Sequence, residues 1–213
     1  MSIKARRKHD IIKARGIARY AHLNEPDKKF DQEYGVYSCD LVITAAGKQE
    51  IVNKIKPLYE QELKDVMDAH PGKKIEQKGL PIKDIEDGQF LLHSKLKGGH
   101  KNKVTGQEWI FSVALFDSTG KPLPEDVQVW GGSEVNLAFR PNFYYVPSIG
   151  FGVRFEIQAV QVIQLKNGGV GGVAAESFGF TEEEGYIANG GENLDQAFDA
   201  EETSEEEPLT ANF

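Results

Sequence analysis

Cysteine, long apolar runs and C-terminal basic residues are what this sequence has least of. Its 213 residues include one cysteine, Cys39, which excludes an intrachain disulfide and any multi-cysteine zinc or iron–sulfur site. No stretch reaches the roughly 18 apolar residues of a membrane-spanning helix, and the basic N-terminus is not followed by the apolar core of a secretory signal. The sequence therefore predicts one domain of the reducing cytoplasm that does not enter a membrane.

Enzyme signatures are missing as well. The glycine-rich stretch NGGVGG lacks the Lys-Ser or Lys-Thr that completes a phosphate-binding loop, and there is no nucleophile elbow and no paired metal-ligating histidine motif. The acidic residues Asp84, Glu86 and Asp87 are more typical of a solvated turn than of a cation site. We expect a protein that is not an enzyme and that holds no metal and no cofactor.

The charges are divided along the chain. All 25 Lys and Arg residues lie at or before Lys166, whereas 12 of the 33 acidic residues follow it. Residues 1–166 therefore carry +4 (25 minus 21), and residues 167–213 carry −12. A mildly basic body with a polyanionic end is typical of a polyanion binder whose tail competes for the same groove. The other interpretation is a tail that only improves solubility.

Hydrophobic periodicity predicts a mainly β protein with one helix. Apolar spacings of three and four predict an amphipathic helix over 48–69, with Pro57 either kinking it or marking a later start. Period-two alternation and turn residues predict the strands, which lie near 16–23, 35–44, 90–97, 108–116, 127–130, 134–139 and 151–165. A parity change in the last strand predicts a β-bulge near Ala159. Such a set suits an OB-type Greek-key barrel with one inserted α-helix, a fold that binds oligonucleotides.

Three regions follow from this pattern. Residues 1–166 form the OB-fold body with its basic N-terminal arm, and residues 167–192 form a glycine-rich linker with a segment that docks locally. Residues 193–213 are acidic and have no apolar period, so we expect a disordered tail.

Lysines cluster in KLKGGHKNK, a predicted strand end and hairpin tip. The four are Lys95, Lys97, Lys101 and Lys103. Long cationic side chains in this arrangement can follow a phosphate backbone. The alternative is a solvated hairpin whose lysines protect a sheet edge.

Aromatic residues form the second cluster, in RPNFYYVPSIGFG. Arg140 opens it and is predicted to follow the phosphates together with the four lysines. Phe143, Tyr144 and Tyr145 are predicted to lie in a loop bounded by two prolines. At least one ring should then be exposed, as a platform on which bases stack whatever their sequence. A local aromatic core or a subunit contact is the alternative. Trp109 and Trp130 fit a core or a platform equally well.

Five segments along the chain form a pattern when taken in order, and they are EYGVYSCDLVI, WGGSEVNLAFRP, GVRFEIQAVQVIQL, FTEEEGYIANG and the acidic end at Phe213. Together they resemble one family, the replication single-stranded DNA-binding proteins of short-tailed lytic phages. By position, Lys95 matches a family lysine implicated in DNA contact, and Phe143 matches a tyrosine of the aromatic loop. Tyr34 stands where the family can have an arginine, and the tail ends LTANF rather than in a run of acids before the phenylalanine.

The resemblance implies an OB fold, often dimeric, that coats single-stranded DNA without sequence preference in the cytoplasm of an infected bacterium. It also implies that the tail, with Glu205, Glu206, Glu207 and Phe213, competes for the DNA groove and contacts the phage DNA polymerase and helicase-primase. The hypothesis from a different class is an acidic-tailed interaction scaffold or chaperone-like protein. A scaffold has no need for lysines and exposed aromatics in one place, so their co-location separates the two.

Overall fold

The structure, a computed structural model, describes residues 7–166. Within this range it contains nine strands, one α-helix and one 3-10 turn. In chain order these are β1 (Ile12–Asp27), β2 (Val36–Ile43), α1 (Ala45–Ala69), β3 (Ile82–Asp84), the turn Glu86–Gly88, β4 (Phe90–Lys97), β5 (Gly99–Lys101), β6 (Glu108–Ile110), β7 (Ala114–Phe116), β8 (Glu134–Val146) and β9 (Gly150–Gln164). Among the residues described, no helix combines the length and apolarity needed to cross a bilayer.

Five long strands close into a barrel. β1 pairs antiparallel with β2 and β8, β2 with β4, and β8 with β9. The ring is completed where β4 meets β9 in parallel, with Ser94 opposite Phe155. This strand order is that of an OB-type Greek-key barrel, so the predicted fold class is confirmed. The predicted linker and tail lie outside the described residues.

The barrel interior is filled by the alternating apolar positions that the sequence predicted. On β2, the side chains of Cys39, Leu41 and Ile43 point inward and are almost fully buried. Burial raises the pKa of the Cys39 thiol to about 12, so this thiol stays protonated and behaves as a small apolar group. The bulge near Ala159 is confirmed, because Ala138 pairs with Ala159 and Phe139 with Ile157.

Helix α1 begins earlier than either predicted start. The hydroxyl of Thr44 accepts a hydrogen bond from the N–H of Gly47 at 3.2 Å and caps the first turn. Pro57 lies inside the helix, so the prediction that it marks the start is wrong. Ile51 and Ile55 are buried against the barrel core and hold the helix in place.

Two predicted strands are corrected. Residues 127–130 form no strand, because the side chain of Asn24 takes the place of a ladder: its Nδ2 donates to the carbonyl of Val127 and its Oδ1 accepts from the N–H of Val129. The predicted strand 108–116 is two strands, since β6 pairs with β5 and β7 pairs in parallel with β9.

The largest correction concerns the predicted aromatic loop. Arg140–Val146 is not a loop but the second half of β8, paired in register with β9 as far as Val146 opposite Gly150. Beyond Phe139, β9 is the one strand beside β8 in the described part of the chain. Pro141 is tolerated there because prolines are accepted on strands with a free edge.

Replacing Asn24 by alanine should destabilise the protein. The substitution leaves the Val127 carbonyl and the Val129 N–H without their partner, so the free energy of unfolding should fall by about 1–3 kcal/mol. Urea unfolding checks this, with Asn53→Ala as the control because Asn53 accepts only from Gln49 on exposed α1. That control should stay within about 0.5 kcal/mol of the parent; equal losses in both variants would contradict the role of Asn24.

Candidate nucleic-acid interface

Three transverse rows of side chains cross the outside of β1, β2 and β4, a surface we name the outer face. Residues directly opposite each other in an antiparallel ladder share a face. The register therefore sets the rows, which are Arg19–Asp40–His93, His22–Ser38–Lys95 and Asp27–Val36–Lys97. In OB folds the face of the second and third barrel strands, which are β2 and β4 in this protein, binds the oligonucleotide.

Cations from two strands meet beside the outer face. Lys95 and Lys97 are exposed on β4, on one side of the strand as the alternation predicts. Because β4 pairs with β9, Arg154 lies next to them, and the three line one shallow groove together with acidic Asp31 and Glu156. Arg154 was not predicted as a site residue, since the β4–β9 contact joins positions about 60 residues apart in sequence.

One lysine of this groove is already engaged. The ammonium of Lys97 lies 3.3 Å from Asp31, whereas no carboxylate within residues 7–166 pairs with Lys95. The pKa of Asp31 is lowered, first by the N–H of Tyr34 donating to its carboxylate and then by Lys97. Asp31 therefore stays ionised at neutral pH, and an incoming phosphate must compete with it for Lys97.

The β5–β6 hairpin crosses directly over the chain at Tyr34. The Tyr34 hydroxyl donates to Glu108 at 2.7 Å, and the ammonium of Lys97 lies 5.4 Å from the centre of the Tyr34 ring. Glycines permit this crossing: a Cβ at Gly98 would lie 2.1 Å from the Tyr34 carbonyl oxygen, and one at Gly99 would lie 2.2 Å from its ring. Tyr34 is only 7% exposed, so its ring has little free surface on which a base could stack.

The hairpin carries the remaining predicted lysines and one tryptophan. Trp109 stands opposite His100, and their rings are stacked with centres 5.6 Å apart at 7°. Trp109 keeps 36% of its surface exposed. Lys101 and Lys103 are exposed beside it, and with Lys97 they line a second shallow groove. The structure thus brings the four predicted lysines and Trp109 to one end of the barrel.

Arg140 has a different surrounding from the one predicted. Its Nε donates to the carbonyl of His9 and its Nη1 to Gln158, both at 2.9 Å. It stands opposite Glu156 on the outside of β8 and β9. The guanidinium therefore holds the N-terminal segment against the barrel, at a position next to the Arg154 groove.

The three consecutive aromatics lie on β8 and not in an exposed loop. Phe143 is 9% exposed and packs against His9, Tyr59 and Phe151. Tyr145 is half-buried against His70, and the half-buried Tyr144 covers Gly152. Alternation along β8 turns Phe143 inward. For this ring, the alternative of a local aromatic core is therefore the one that the structure supports.

Trp130 lies on the other side of β1. It is 48% exposed and precedes Gly131, whose backbone packs on Arg19 and Tyr20. Trp109 and Trp130 therefore both keep enough exposed surface for contact with a base.

The predicted tail residues Glu205, Glu206, Glu207 and Phe213 lie outside the described residues.

Phe30 is a candidate that the sequence reasoning missed. It is 89% exposed in the connection between β1 and β2, next to Lys28 and with the ammonium of Lys29 5.5 Å from its ring centre. The next residue in this connection, Asp31, pairs with Lys97 of β4, which places Phe30 at the same end of the barrel as the hairpin. The signal was present as two lysines directly before an aromatic residue between two strands.

Comparison with known proteins decides the family. A family model described as the single-stranded DNA-binding protein of bacteriophage T7 matches residues 15–165. The chain belongs to this family. It is 24% identical over 207 residues to the single-stranded DNA-binding protein of Escherichia phage T7 and 26% identical over 208 residues to that of Enterobacteria phage T3, with 88% of both chains covered in each case.

A solved structure supports the fold of this T7-type family member. The crystal structure of gp2.5, a single-stranded DNA-binding protein encoded by bacteriophage T7, superposes with a TM-score of 0.64 at 24% identity. The match covers 75% of this chain and 94% of that chain. The OB-type barrel is thus shared within the family.

Gly99→Ala should loosen the crossing of the hairpin over Tyr34. The added methyl group would overlap the Tyr34 ring and lie 2.9 Å from the Trp109 carbonyl oxygen, so the free energy of unfolding should fall by about 1–3 kcal/mol. Urea unfolding measures this, together with faster hydrogen exchange of the Phe111 amide, which donates to Gly98. Gly79→Ala is the matched control, because a Cβ there has no atom within 4 Å. Identical stability of the two variants would refute the close crossing.

Proposed function

We propose that this protein binds single-stranded DNA without sequence preference and coats it during phage DNA replication and recombination. The observation that carries this is the meeting of Lys95, Lys97 and Arg154 on adjoining strands, beside the face that OB folds use for oligonucleotides. Exposed rings lie at the same end of the barrel, in Phe30 and Trp109. Family membership supports the same reading.

The binding mechanism divides between cations and rings. Lys95, Arg154 and the hairpin lysines neutralise phosphates, and the counterions that they release supply a favourable entropy. Exposed rings stack on bases, and because every base has a π face this contact does not select a sequence. No bond in the DNA is made or broken, so the proposed role is binding and not catalysis.

Acidic groups set a limit on this binding. Asp31 and Glu156 line the same groove as Lys97 and Arg154, and each contacts one of these cations. DNA must exchange these internal ion pairs for phosphate contacts, so the net gain per cation is smaller than at the uncommitted Lys95. Salt weakens both kinds of contact.

Titration with oligo-dT at several salt concentrations tests the function. Quenching of tryptophan fluorescence with an affinity that falls as salt rises is the expected result. Absence of quenching at low salt, with unchanged mobility of the DNA in a gel, would reject DNA binding and favour an acidic-tailed scaffold or chaperone-like protein.

In the same titration, Lys95→Ala should change the salt dependence by one phosphate contact. The slope of log K against log salt should become less negative by about 0.7, the value for one contact to a single strand. Lys64→Ala is the control, because Lys64 is exposed on α1 away from the outer face. A Lys95→Ala protein with the parent's slope and affinity removes that residue from the phosphate path.

The tail has a proposed role of its own. Residues 167–213 carry 12 acidic side chains and no basic one, and a tethered segment acts at an effective concentration on the order of millimolar. We infer that the tail occupies the basic groove until DNA displaces it, and then offers its carboxylates and Phe213 to the phage DNA polymerase and helicase-primase. The host cytoplasm as location and the family's homodimer stay predictions.

Deleting residues 193–213 should tighten binding to oligo-dT, most at low salt, because seven acidic side chains are removed. The measurement is the affinity of intact and truncated protein at two salt concentrations. A variant with these seven acids replaced by Asn and Gln keeps the tail length and should bind like the truncated protein. Equal affinities of all three proteins would leave the tail without an autoinhibitory role.

A further inference from the structure

The pairing of β1 with β2 leaves an extra residue on β1 at Tyr20. Arg19 pairs with Asp40 on β2, but the next pair is His22 with Ser38, so β1 advances three residues while β2 advances two. The backbone of Tyr20 has φ +47°, in the left-handed region. This is a β-bulge, a feature that often re-aims a side chain beside a functional site.

The bulge determines where the Tyr20 ring goes. Ala18 and Leu23 are buried and Ala21 packs on the core, which requires one residue in between to leave the alternation. Without the bulge, regular alternation from Ala18 would turn Tyr20 inward. Instead its side chain is 76% exposed.

Tyrosine at this position has an energetic cost. A positive φ is uncommon for a bulky residue and is energetically unfavourable. Glycine or asparagine would accept this backbone with less strain. The exposed ring makes no compensating burial, so neither the core nor the local backbone explains the choice of tyrosine.

A second exposed ring stands beside the bulge. Trp130 precedes Gly131, and a Cβ on Gly131 would lie 3.8 Å from the Tyr20 nitrogen. The Asn24 side chain accepts a hydrogen bond from the N–H of Val129, the residue before Trp130. The N–H of Gly132 donates to the carbonyl of Ala18 at 2.7 Å. The segment that carries Trp130 is thus held against the backbone of β1 at Tyr20.

Cations border this pair of rings. Arg19 is exposed directly before Tyr20, and the side-chain stem of Lys166 lies 3.4 Å from the Cβ position of Gly132. Exposed rings interleaved with cations are the pattern of a single-stranded nucleic-acid contact. A protein interface would instead be expected to have a continuous apolar centre.

The rings are continuous with the outer face. Arg19, Asp40 and His93 form one of its rows, and two strand spacings, about 10 Å, separate β4 from β1. A single DNA strand that contacts the lysines of β4 and then crosses β2 therefore reaches Tyr20 on β1 and Trp130 beyond it.

We propose that Tyr20 and Trp130 form a second base-stacking platform, which receives single-stranded DNA after it has crossed the outer face from the lysines of β4. The inference rests on the proposed function and extends it by a path and by a residue. In this arrangement the bulge turns the Tyr20 ring outward, where a base can stack on it.

Substitutions at Tyr20 separate stacking from folding. Tyr20→Asn and Tyr20→Gly remove the ring but suit the backbone, so their melting temperatures should equal or exceed the parent's. Both should bind oligo-dT about 5-fold to about 150-fold more weakly, the loss of one stacked base, with an unchanged salt slope. Tyr20→Phe keeps the ring and should bind like the parent.

Trp109→Phe leaves Trp130 as the one tryptophan of the chain, and its fluorescence should still be quenched by oligo-dT. Parent-like affinity of Tyr20→Asn and Tyr20→Gly would overturn the proposal while leaving DNA binding by the parent intact. A changed sedimentation coefficient of these variants with unaltered affinity would likewise overturn it, because the rings would then contact protein. Failure of the parent itself to bind would reject the proposed function instead.

Discussion

The parallel contact between β4 and β9 is the interaction on which the rest of the site depends. It closes the barrel at Ser94 and Phe155, both fully enclosed in the interior. The Ser94 hydroxyl donates to the carbonyl of Cys39 at 2.7 Å, so the one buried hydroxyl of β4 also ties that strand to β2. With both edges of β4 held, its exposed lysines have fixed neighbours on each side. Closure is therefore what places Arg154 beside Lys95 and Lys97.

Close backbone crossings shape the end of the barrel where the cations collect. Gly98 and Gly99 leave room for Tyr34 that no side chain would allow, and the buried Tyr34 then anchors the hairpin through Glu108. Its phenol pKa is raised by burial and by this carboxylate, which keeps the hydroxyl protonated as a donor. A tyrosine here therefore holds in place the hairpin that carries Lys101 and Trp109.

Two of the irregularities in the pairing of the barrel strands are β-bulges with different consequences. The one on β9 restores the inward direction of Val160 and Val162 after Ile157, so it serves the core. The one on β1 releases Tyr20 into solvent and leaves the core unchanged. Because a single extra residue reverses the faces of everything that follows, each bulge is a precise device for deciding which side chains meet water.

Local pattern was sufficient for much of the fold. Alternation along β2 and β4 predicted both strands to within one residue and identified the inward side chains, because period two is a property of the backbone itself. The parity change near Ala159 likewise predicted a bulge, and the spacing of apolar residues predicted α1 apart from its first turn. The same reasoning found the exposed lysines of β4, since residues two apart share a face.

Tertiary structure decided which residues stand together. Prolines on both sides of Phe143 resembled the bounds of a loop, but pairing with β9 carries β8 through Pro141 and turns Phe143 into the core. Arg154 joined the lysines, and Asn24 replaced a strand, through partners about 60 to 105 residues away. Periodicity reports how one strand divides its side chains between two faces. Which faces adjoin depends on strand order and register, and those are set by packing across the whole barrel.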